Sequence, residues 1–246
     1  RIYIQEIQAM IKINNVSKSF LTQDGTFEAL KNISLTIKDD SCIVIAGENG
    51  SGKSLLMSVI AGLEAPDSGS VECDKKPGLV FQEAETQILG ETPEEDIAFG
   101  PSNLGFSKSM TDQMVNNALE ITALKEKKDF PARFLSGGEK RRLAIACMIA
   151  MDFSTIILDE PYANLDYTGV KQVNSLIKKL KSENKTVIIL THELEKCLAL
   201  ADDFVVLFRG KIVYHDTPQN ALKENLEKWN IRNPLNSYKK LEDLVW

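Results

Sequence analysis

Residue types suited to phosphate binding are concentrated at positions 47–54, where the chain reads Gly-Glu-Asn-Gly-Ser-Gly-Lys-Ser. Its glycines let backbone N–H groups surround phosphate oxygens without a Cβ in the way. The ammonium group of Lys53 can reach the outer phosphates, and the Ser54 hydroxyl is a suitable ligand for Mg²⁺. The segment therefore predicts a P-loop that binds a nucleoside triphosphate, rather than an ordinary glycine turn.

A second group of reactive side chains follows two apolar runs further along the chain. Asp159 and Glu160 come directly after the run at 156–158, and His192 follows the run at 186–190. Adjacent carboxylates at the end of a buried strand are costly unless a cation lies beside them. Asp159 suits a Mg²⁺ shell, and Glu160 suits a base that polarises attacking water. His192 is also placed at a strand's C-terminal end, where parallel sheets bind ligands.

A third motif, Ser136-Gly137-Gly138-Glu139, opens a predicted helix. Ser136 and Glu139 have the spacing of a capping box. Two glycines in the first turn cost about 1 kcal/mol each in helix propensity. Close approach of the backbone to a ligand explains them better than helix stability does, and helix N-termini attract anions.

The elements that must position these motifs alternate between strand and helix. An apolar strand at 42–46 precedes the P-loop, and a helical pattern follows it. Helical and polar character then dominates about 87–150, before parallel-sheet strands return. The pattern predicts an α/β fold of the P-loop NTPase (RecA-like) type. It has a parallel-sheet core, an N-terminal antiparallel β subdomain and an inserted helical subdomain.

The predicted organisation is a single domain over 10–246. Short β segments are expected between 11 and 37, and a hairpin is expected to turn at Arg209-Gly210. We expect a C-terminal helical tail over about 218–246. Residues 1–9 are expected to be an N-terminal extension.

Composition excludes several other classes of protein. The 246 residues are 43% hydrophobic and 26% charged, as in an ordinary globular protein. A formal net charge of −6 weighs against nucleic acid as a partner. The four cysteines are scattered, which predicts small buried hydrophobes in a reducing compartment. No apolar run approaches the length of a membrane span, so any membrane function would act through a partner.

Together the motifs resemble the ATP-binding cassette (ABC) family, whose cofactors are ATP and Mg²⁺. The implied Walker A loop consists of Gly47, Asn49, Gly50, Ser51, Gly52, Lys53, Ser54 and Leu55. The implied signature consists of Ser136, Gly137, Gly138 and Glu139. Gln82 is the implied Q-loop glutamine, and Phe20 is placed where an aromatic ring stacks on adenine, with Phe27 as a rival.

The resemblance also implies the catalytic roles. Lys53, Glu160 and His192 are the implied catalytic residues, and Ser54, Gln82 and Asp159 the implied Mg²⁺ ligands. Residues 164–166 are the implied D-loop.

Two positions depart from the family pattern. Glu139 stands where glutamine is commonest, and we expect Lys140, Arg141 and Arg142 to offset its charge. Asn164 stands where a small residue is usual. Neither change removes a catalytic group, so ATP hydrolysis is expected.

The resemblance further implies a head-to-tail dimer, with the same chain or a related one, that encloses two ATP. Residues 87–105 look like the ATPases of energy-coupling-factor (ECF) importers of vitamins and metal ions. These are peripheral subunits on the cytoplasmic face of the cell membrane. The transmembrane subunit is expected to dock near Gln82 and the acidic residues Glu94, Glu95 and Asp96.

Two alternatives stay open. One is the ATPase of another ABC importer or exporter. The other is a soluble ABC ATPase of translation or DNA repair. The single cassette, the lack of a coiled coil and the acidic net charge argue against this alternative. A P-loop kinase would need neither the signature nor the histidine.

Overall fold

The structure is a computed structural model that describes residues 9–23 and 25–236. The predicted N-terminal extension lies outside the described residues, except for Ala9, which begins the first strand. The described strands are β1 Ala9–Thr22, β2 Gly25–Lys38, β3 Cys42–Ala46, β4 Ser68–Cys73, β5 Gly78–Val80, β6 Thr155–Asp159, β7 Thr186–Thr191, β8 Asp203–Phe208 and β9 Lys211–Asp216. The described α-helices are α1 Lys53–Ile60, α2 Pro93–Asn103, α3 Lys108–Ile121, α4 Gly137–Ala150, α5 Tyr167–Ser182 and α6 Pro218–Ala221.

Short 3₁₀ helices connect several of these elements. They are Ala84–Gln87, Lys125–Lys127, Ala132–Phe134, Leu194–Lys196, Leu198–Leu200 and Leu226–Trp229.

The smaller sheet is antiparallel and has the strand order β2-β1-β4. Ile11, Ile13 and Val16 are buried on β1, as the alternating pattern predicts. The two N-terminal strands are longer than the short segments expected, because bulges in β1 let the pairing with β2 continue over its whole length. The predicted N-terminal antiparallel sheet is confirmed.

The larger sheet has six strands in the order β5-β6-β7-β3-β8-β9. Its pairs are parallel except for the β8–β9 hairpin. Every residue of β3, β6 and β7 is buried, which matches their continuous apolar sequences. The hairpin turns at Arg209 and Gly210, both with positive φ. The predicted parallel core of an α/β P-loop fold is confirmed.

Each face of the larger sheet has its own hydrophobic core. Val44 and Ile189 belong to a cluster that includes residues of α5, while Ile45 belongs to one that includes α1 and the smaller sheet. A third cluster joins α2, α3 and α4, which lie between β5 and β6 in the sequence. The reactive residues of the sequence follow the C-terminal ends of β3, β6 and β7, which are neighbouring strands of the larger sheet.

Only part of the predicted helical tail, residues 218–236, lies within the described residues. It contains the four residues of α6 and the 3₁₀ helix Leu226–Trp229, and the rest of the tail, 237–246, lies outside the described residues. The domain bounds of 10–246 and the subdomain bounds of about 87–150 stay predictions. Among the described residues, no helix has the length and hydropathy needed to cross a bilayer.

Candidate functional site

The P-loop connects the end of β3 to the start of α1 and lies against the β8–β9 hairpin. Gly50 and Gly52 have φ values of +80° and +104°, a conformation that favours glycine. A Cβ on Gly47 would lie 2.3 Å from the Leu207 carbonyl oxygen and 2.6 Å from Ser51 Oγ. The Gly210 N–H donates to the Ser51 carbonyl at 3.0 Å. The hairpin thus supports the loop, and the glycines are needed for its path.

Lys53 is buried, and its ammonium group points back across the P-loop. Nζ donates to the carbonyl oxygens of Gly47 at 2.7 Å and Glu48 at 3.1 Å. It also lies 3.7 Å from Oε1 of Glu160. Burial lowers the pKa of Lys53, while Glu160 and Asp159 act to raise it. A cation is therefore held beside the two carboxylates.

Glu160 connects Lys53 to His192. Its Oε1 atom lies 3.0 Å from His192 Nδ1, and its N–H donates to the Leu190 carbonyl on β7 at 2.9 Å. Glu160 has a φ of +44°, which is unusual for a residue with a side chain. The ends of β6 and β7 therefore bring these three side chains together, as their positions in the sequence predict.

Asp159 is buried beside the P-loop. Burial raises the pKa of its carboxyl group, and a hydrogen bond with the Ser54 side chain acts to lower it. Three buried side-chain oxygens near this point have no hydrogen-bond partner: Ser51 Oγ, Asp159 Oδ1 and Glu160 Oε2. Unpaired buried oxygens are costly, and hydroxyl and carboxylate oxygens are ligands that Mg²⁺ prefers. The donor set fits a magnesium-bound phosphate.

The described residues contain no cluster of three His, Cys, Asp or Glu that could hold a metal ion.

Gln82 lies in an exposed loop after β5. Its carbonyl oxygen accepts a hydrogen bond from Nη2 of Arg141 at 2.9 Å. The loop is closed by Gln87, whose Oε1 accepts from the Phe81 N–H and whose Nε2 donates to the Leu79 carbonyl, each at 2.8 Å. The contact made by Arg141 joins residues 59 apart, and no local sequence pattern signals it. The closure by Gln87 spans only six to eight residues, but it matches no recognised turn motif.

The signature motif forms the capping box that its spacing predicts. Ser136 Oγ accepts from the Glu139 N–H at 3.3 Å, and Glu139 Oε2 accepts from the Ser136 N–H at 2.9 Å. The other Glu139 oxygen lies 2.5 Å from Nζ of Lys127. Burial acts to raise the pKa of Glu139, but the hydrogen bonds from Lys127 and Ser136 outweigh it and lower the pKa.

Of the three cations expected to offset the charge of Glu139, Arg142 interacts electrostatically with it, whereas Lys140 and Arg141 have other partners. Lys140 pairs with Glu85 at 2.7 Å. Arg141 donates to the carbonyl oxygens of Gln82 and Glu160, and Arg142 also donates to the Thr122 carbonyl. Residues three or four apart share a face of a helix, so Arg142 lies on the same side as Glu139, whereas Lys140 and Arg141 do not. The direct partner of Glu139 is Lys127, twelve residues before it.

The signature and the D-loop share a polar groove of about 360 Å³. Ser136, Gly137, Asn164 and Asp166 are among its lining residues, and none of the lining residues belongs to the P-loop segment 47–54. Asn164 has a φ of +60°, which asparagine tolerates better than most residues. This groove and the P-loop are thus two separate surfaces of one chain.

Phe20 and Phe27 lie opposite each other on β1 and β2. They are 42% and 55% exposed, so both rings are accessible. Nζ of Lys18 lies 5.7 Å from the centroid of the Phe20 ring. Asn49 is exposed in the P-loop, and Leu55 is half-buried on α1.

The acidic segment differs from expectation in one residue. Asp96 is only 4% exposed, and its Oδ1 accepts from the N–H groups of Leu89 at 2.7 Å and Gly90 at 2.8 Å. Oδ2 lies 3.3 Å from Sγ of Cys147. The expectation that Asp96 faces a partner is therefore wrong, because it is a buried acceptor for the backbone. Glu94 lies 3.4 Å from Nζ of Lys128, and Oε2 of the exposed Glu95 accepts from the Glu91 N–H at 3.1 Å.

The cysteines agree only partly with their predicted burial. Cys42 and Cys197 are buried, whereas Cys73 and Cys147 are half-buried, and all four are free. Burial raises the pKa of the Cys42 thiol to about 12, so this thiol is unreactive.

The parallel sheet and the glycine-rich loop between β3 and α1 define an α/β protein of the P-loop class. Residues 30–163, more than half of the chain, match the family model described as "ABC transporter". The chain belongs to the ABC transporter family.

Known relatives carry more specific names. The energy-coupling factor transporter ATP-binding protein EcfA2 of Methanospirillum hungatei is 38% identical, over 84% of this chain and 56% of its own length. EcfA1 of Caldanaerobacter subterraneus subsp. tengcongensis is 41% identical, over 87% of this chain and 83% of its own length. The chain spans about half the length of two archaeal relatives, 56% of the Methanospirillum protein and 53% of one from Methanosarcina mazei.

A solved structure supports the same likeness. It is cbiO1 from Clostridium perfringens, described as part of the ABC transporter complex cbiONQ. It superimposes with a TM-score of 0.80 at 32% identity and covers 92% of this chain and 96% of that protein. The resemblance to energy-coupling-factor ATPases that the sequence indicates is confirmed.

Proposed function

We propose that this chain is the ATP-binding and ATP-hydrolysing subunit of an ECF-type ABC transporter. It energises import of a vitamin or metal ion through a separate membrane subunit. The catalytic part of the proposal rests on one observation. Lys53 Nζ and His192 Nδ1 both lie next to Oε1 of Glu160, beside the P-loop. The energy-coupling-factor names of its relatives support the transport part.

ATP binds along the P-loop in this proposal. The contacts of Lys53 to two loop carbonyls give way to phosphate oxygens, which the buried cation binds more strongly than neutral carbonyls. Phe20 stacks on adenine. The residues proposed to contact the nucleotide in this chain are Phe20, Gly47, Asn49, Gly50, Ser51, Gly52, Lys53, Ser54, Leu55 and Gln82.

Mg²⁺ would be held by Ser54, Gln82 and Asp159. The unpartnered Oδ1 of Asp159 and the contact between the Asp159 and Ser54 side chains support this assignment. When bound, the ion neutralises negative charge that develops on the transferred phosphoryl group.

Hydrolysis depends on Glu160 as the base that orients and deprotonates water. Its buried carboxylate has one oxygen committed to His192 and Lys53, and the other oxygen, Oε2, has no protein partner. That second oxygen is the one proposed to bind water. His192 holds the carboxylate in place, and Lys53 stabilises the phosphate charge.

A second chain completes the site. Because the signature groove and the P-loop are separate surfaces, the signature of one chain is proposed to cover the ATP held by the P-loop of another. The resulting head-to-tail dimer, with the same or a related chain, encloses two ATP. Ser136, Gly137, Gly138 and Glu139 contact the partner's nucleotide.

The transmembrane subunit is proposed to dock near Gln82, Glu94 and Glu95. This places the chain as a peripheral subunit at the cytoplasmic face of the membrane. Exposed Leu89, Phe99 and Leu104 lie in the same part of the chain and offer apolar area beside the two acids.

Affinity capture from native membranes tests the transport part. The bait is Glu160→Gln with ATP, which should accumulate the ATP-bound dimer. It is compared with the same bait carrying Glu94→Ala and Glu95→Ala, and with a control bait carrying Asp112→Ala and Glu126→Ala. Recovery of a polytopic membrane protein by the first and third baits, and its loss with the second, supports the proposal. Recovery of ribosomes, DNA or soluble proteins alone contradicts it.

A further inference from the structure

We propose that Arg141 is a positioning residue that fixes the Q-loop and the catalytic base relative to each other; this inference rests on the proposed ATPase function. Arg141 lies on α4, one turn after the signature glycines. Its Nη1 donates to the Glu160 carbonyl oxygen at 3.0 Å, and its Nη2 donates to the Gln82 carbonyl oxygen at 2.9 Å. A single side chain of the signature helix therefore holds the backbone of both loops.

The backbone of Glu160 needs this support. Its φ of +44° lies in the left-handed region, where a residue with a side chain is retained only if its surroundings fix it. The Glu160 N–H is fixed by the Leu190 carbonyl on the neighbouring strand. Its carbonyl oxygen is fixed by Arg141, from outside the sheet. The direction of the carboxylate towards His192 thus depends on a contact made by α4.

Burial and shape suit Arg141 to this task. The residue is 5% exposed, and its planar guanidinium presents two N–H groups that reach both carbonyls at once. A lysine ammonium is a single point donor and would satisfy one carbonyl better than two. The adjacent Arg142 is buried to a similar degree, but it donates to the Thr122 carbonyl and to Gln172. The contact with the site loops therefore belongs to Arg141 and is not shared by its neighbour.

The position of Arg141 on α4 has a consequence for the dimer. The first turn of α4 carries the signature, which contacts the ATP of the other chain in the proposed arrangement. Any shift of α4 on closure would move the guanidinium together with the two carbonyls that it binds. Arg141 would then connect the signature, which serves one ATP, to Gln82 and Glu160, which serve the other.

Three variants of the full chain test this role. Arg141→Met removes the hydrogen bonds, and Arg141→Lys restores the charge and one donor. Lys181→Met is the control, because Lys181 also donates to a backbone carbonyl, that of Leu200 at 2.8 Å, and pairs with Asp202, and neither partner belongs to the P-loop or to the loop at Gln82. ATP affinity, kcat, thermal unfolding and amide hydrogen exchange are measured for each.

Arg141→Met is expected to lower kcat by about tenfold or more through misplacement of the base, while the Kd for ATP changes by less than about threefold. Arg141→Lys is expected to recover part of the kcat. Exchange is expected to quicken selectively in peptides covering 80–84 and 159–163. Lys181→Met is expected to change neither kcat nor exchange in these two peptides.

An unchanged kcat, or faster exchange spread evenly over the chain, overturns the role of Arg141. If Arg141→Met fails to fold, Arg141→Lys is compared with the natural chain instead, and smaller changes in kcat and in hydrogen exchange are expected. If the unmodified chain does not hydrolyse ATP, the proposed function fails. The exchange of the two peptides still decides whether Arg141 fixes both loops.

Discussion

Nζ of Lys127 lies 2.5 Å from Oε1 of Glu139, the fourth residue of the signature motif. The charge that Glu139 adds at this helix N-terminus is therefore paired inside the chain. In the proposed dimer this charge would otherwise face the phosphates of the partner's ATP. From this pair we expect Lys127 to affect ATP binding in a way that depends on Glu139.

Lys127→Met is expected to raise the KM for ATP about three- to tenfold, since it leaves Glu139 unpaired near a phosphate. ATP titration of the hydrolysis rate measures the change. The same substitution in a Glu139→Gln background is expected to change the KM for ATP by less than about twofold. An equal effect in both backgrounds would show that Lys127 acts independently of Glu139.

The same pair predicts a pH dependence of stability. The pKa of Glu139 in the folded chain is lowered from its ordinary value of 4.5, so the stabilisation is present above that pH. It is lost as the pH falls through the lowered pKa. The difference in unfolding temperature between the natural chain and Glu139→Gln is expected to be constant from pH 6 to 8 and to shrink below about pH 4.5. A difference that grows on acidification would contradict this assignment.

Substitutions at two glycines distinguish an effect on packing from an effect on ligand binding. Gly47→Ala places a Cβ 2.3 Å from a backbone oxygen, so it is expected to destabilise the chain by about 1–3 kcal/mol and to abolish ATP binding. Gly137→Ala meets no atom within 4 Å. It is expected to keep or slightly raise the unfolding temperature, since alanine favours a helix more than glycine does, but to lose ATP-dependent dimerisation, because in the proposed dimer the added Cβ faces the partner's nucleotide. Calorimetry and size-exclusion chromatography measure the two effects. Normal ATP-dependent dimerisation of Gly137→Ala would contradict the proposed signature contact.

Asp96 is expected to matter for folding rather than for docking. Asp96→Ala leaves the part-buried N–H groups of Leu89 and Gly90 without their acceptor, at an expected cost of about 1–3 kcal/mol. Glu95→Ala, on the exposed side of the same helix, is expected to change stability by less than about 0.5 kcal/mol. Urea unfolding compares the two. Equal effects would mean that Asp96 is not the acceptor that closes this segment.

Much of the fold and of the nucleotide site follows from local sequence patterns. Continuous apolar runs predict β3, β6 and β7, and the residues that follow these strands predict where Lys53, Glu160 and His192 meet. The capping box of Ser136 and Glu139 was also predictable, because its partners are three residues apart.

Contacts between distant parts of the chain were not predictable in this way. The Lys127–Glu139 pair and the bridge from Arg141 to Gln82 and Glu160 depend on how α4 packs against its neighbours. An acidic run gives no signal that one of its members turns inward, so the burial of Asp96 was missed. Tertiary packing, rather than local pattern, decides all three.

The most direct test of the account is the Mg²⁺-dependent ATPase rate of the natural chain compared with Glu160→Gln. We expect the natural chain to hydrolyse ATP and Glu160→Gln to be slower by about 100-fold or more. The variant should still bind ATP with little change in affinity and accumulate as a dimer with two ATP. Absence of hydrolysis by the natural chain, or an equal rate in the variant, would contradict the assignment of Glu160 as the base of an ATPase.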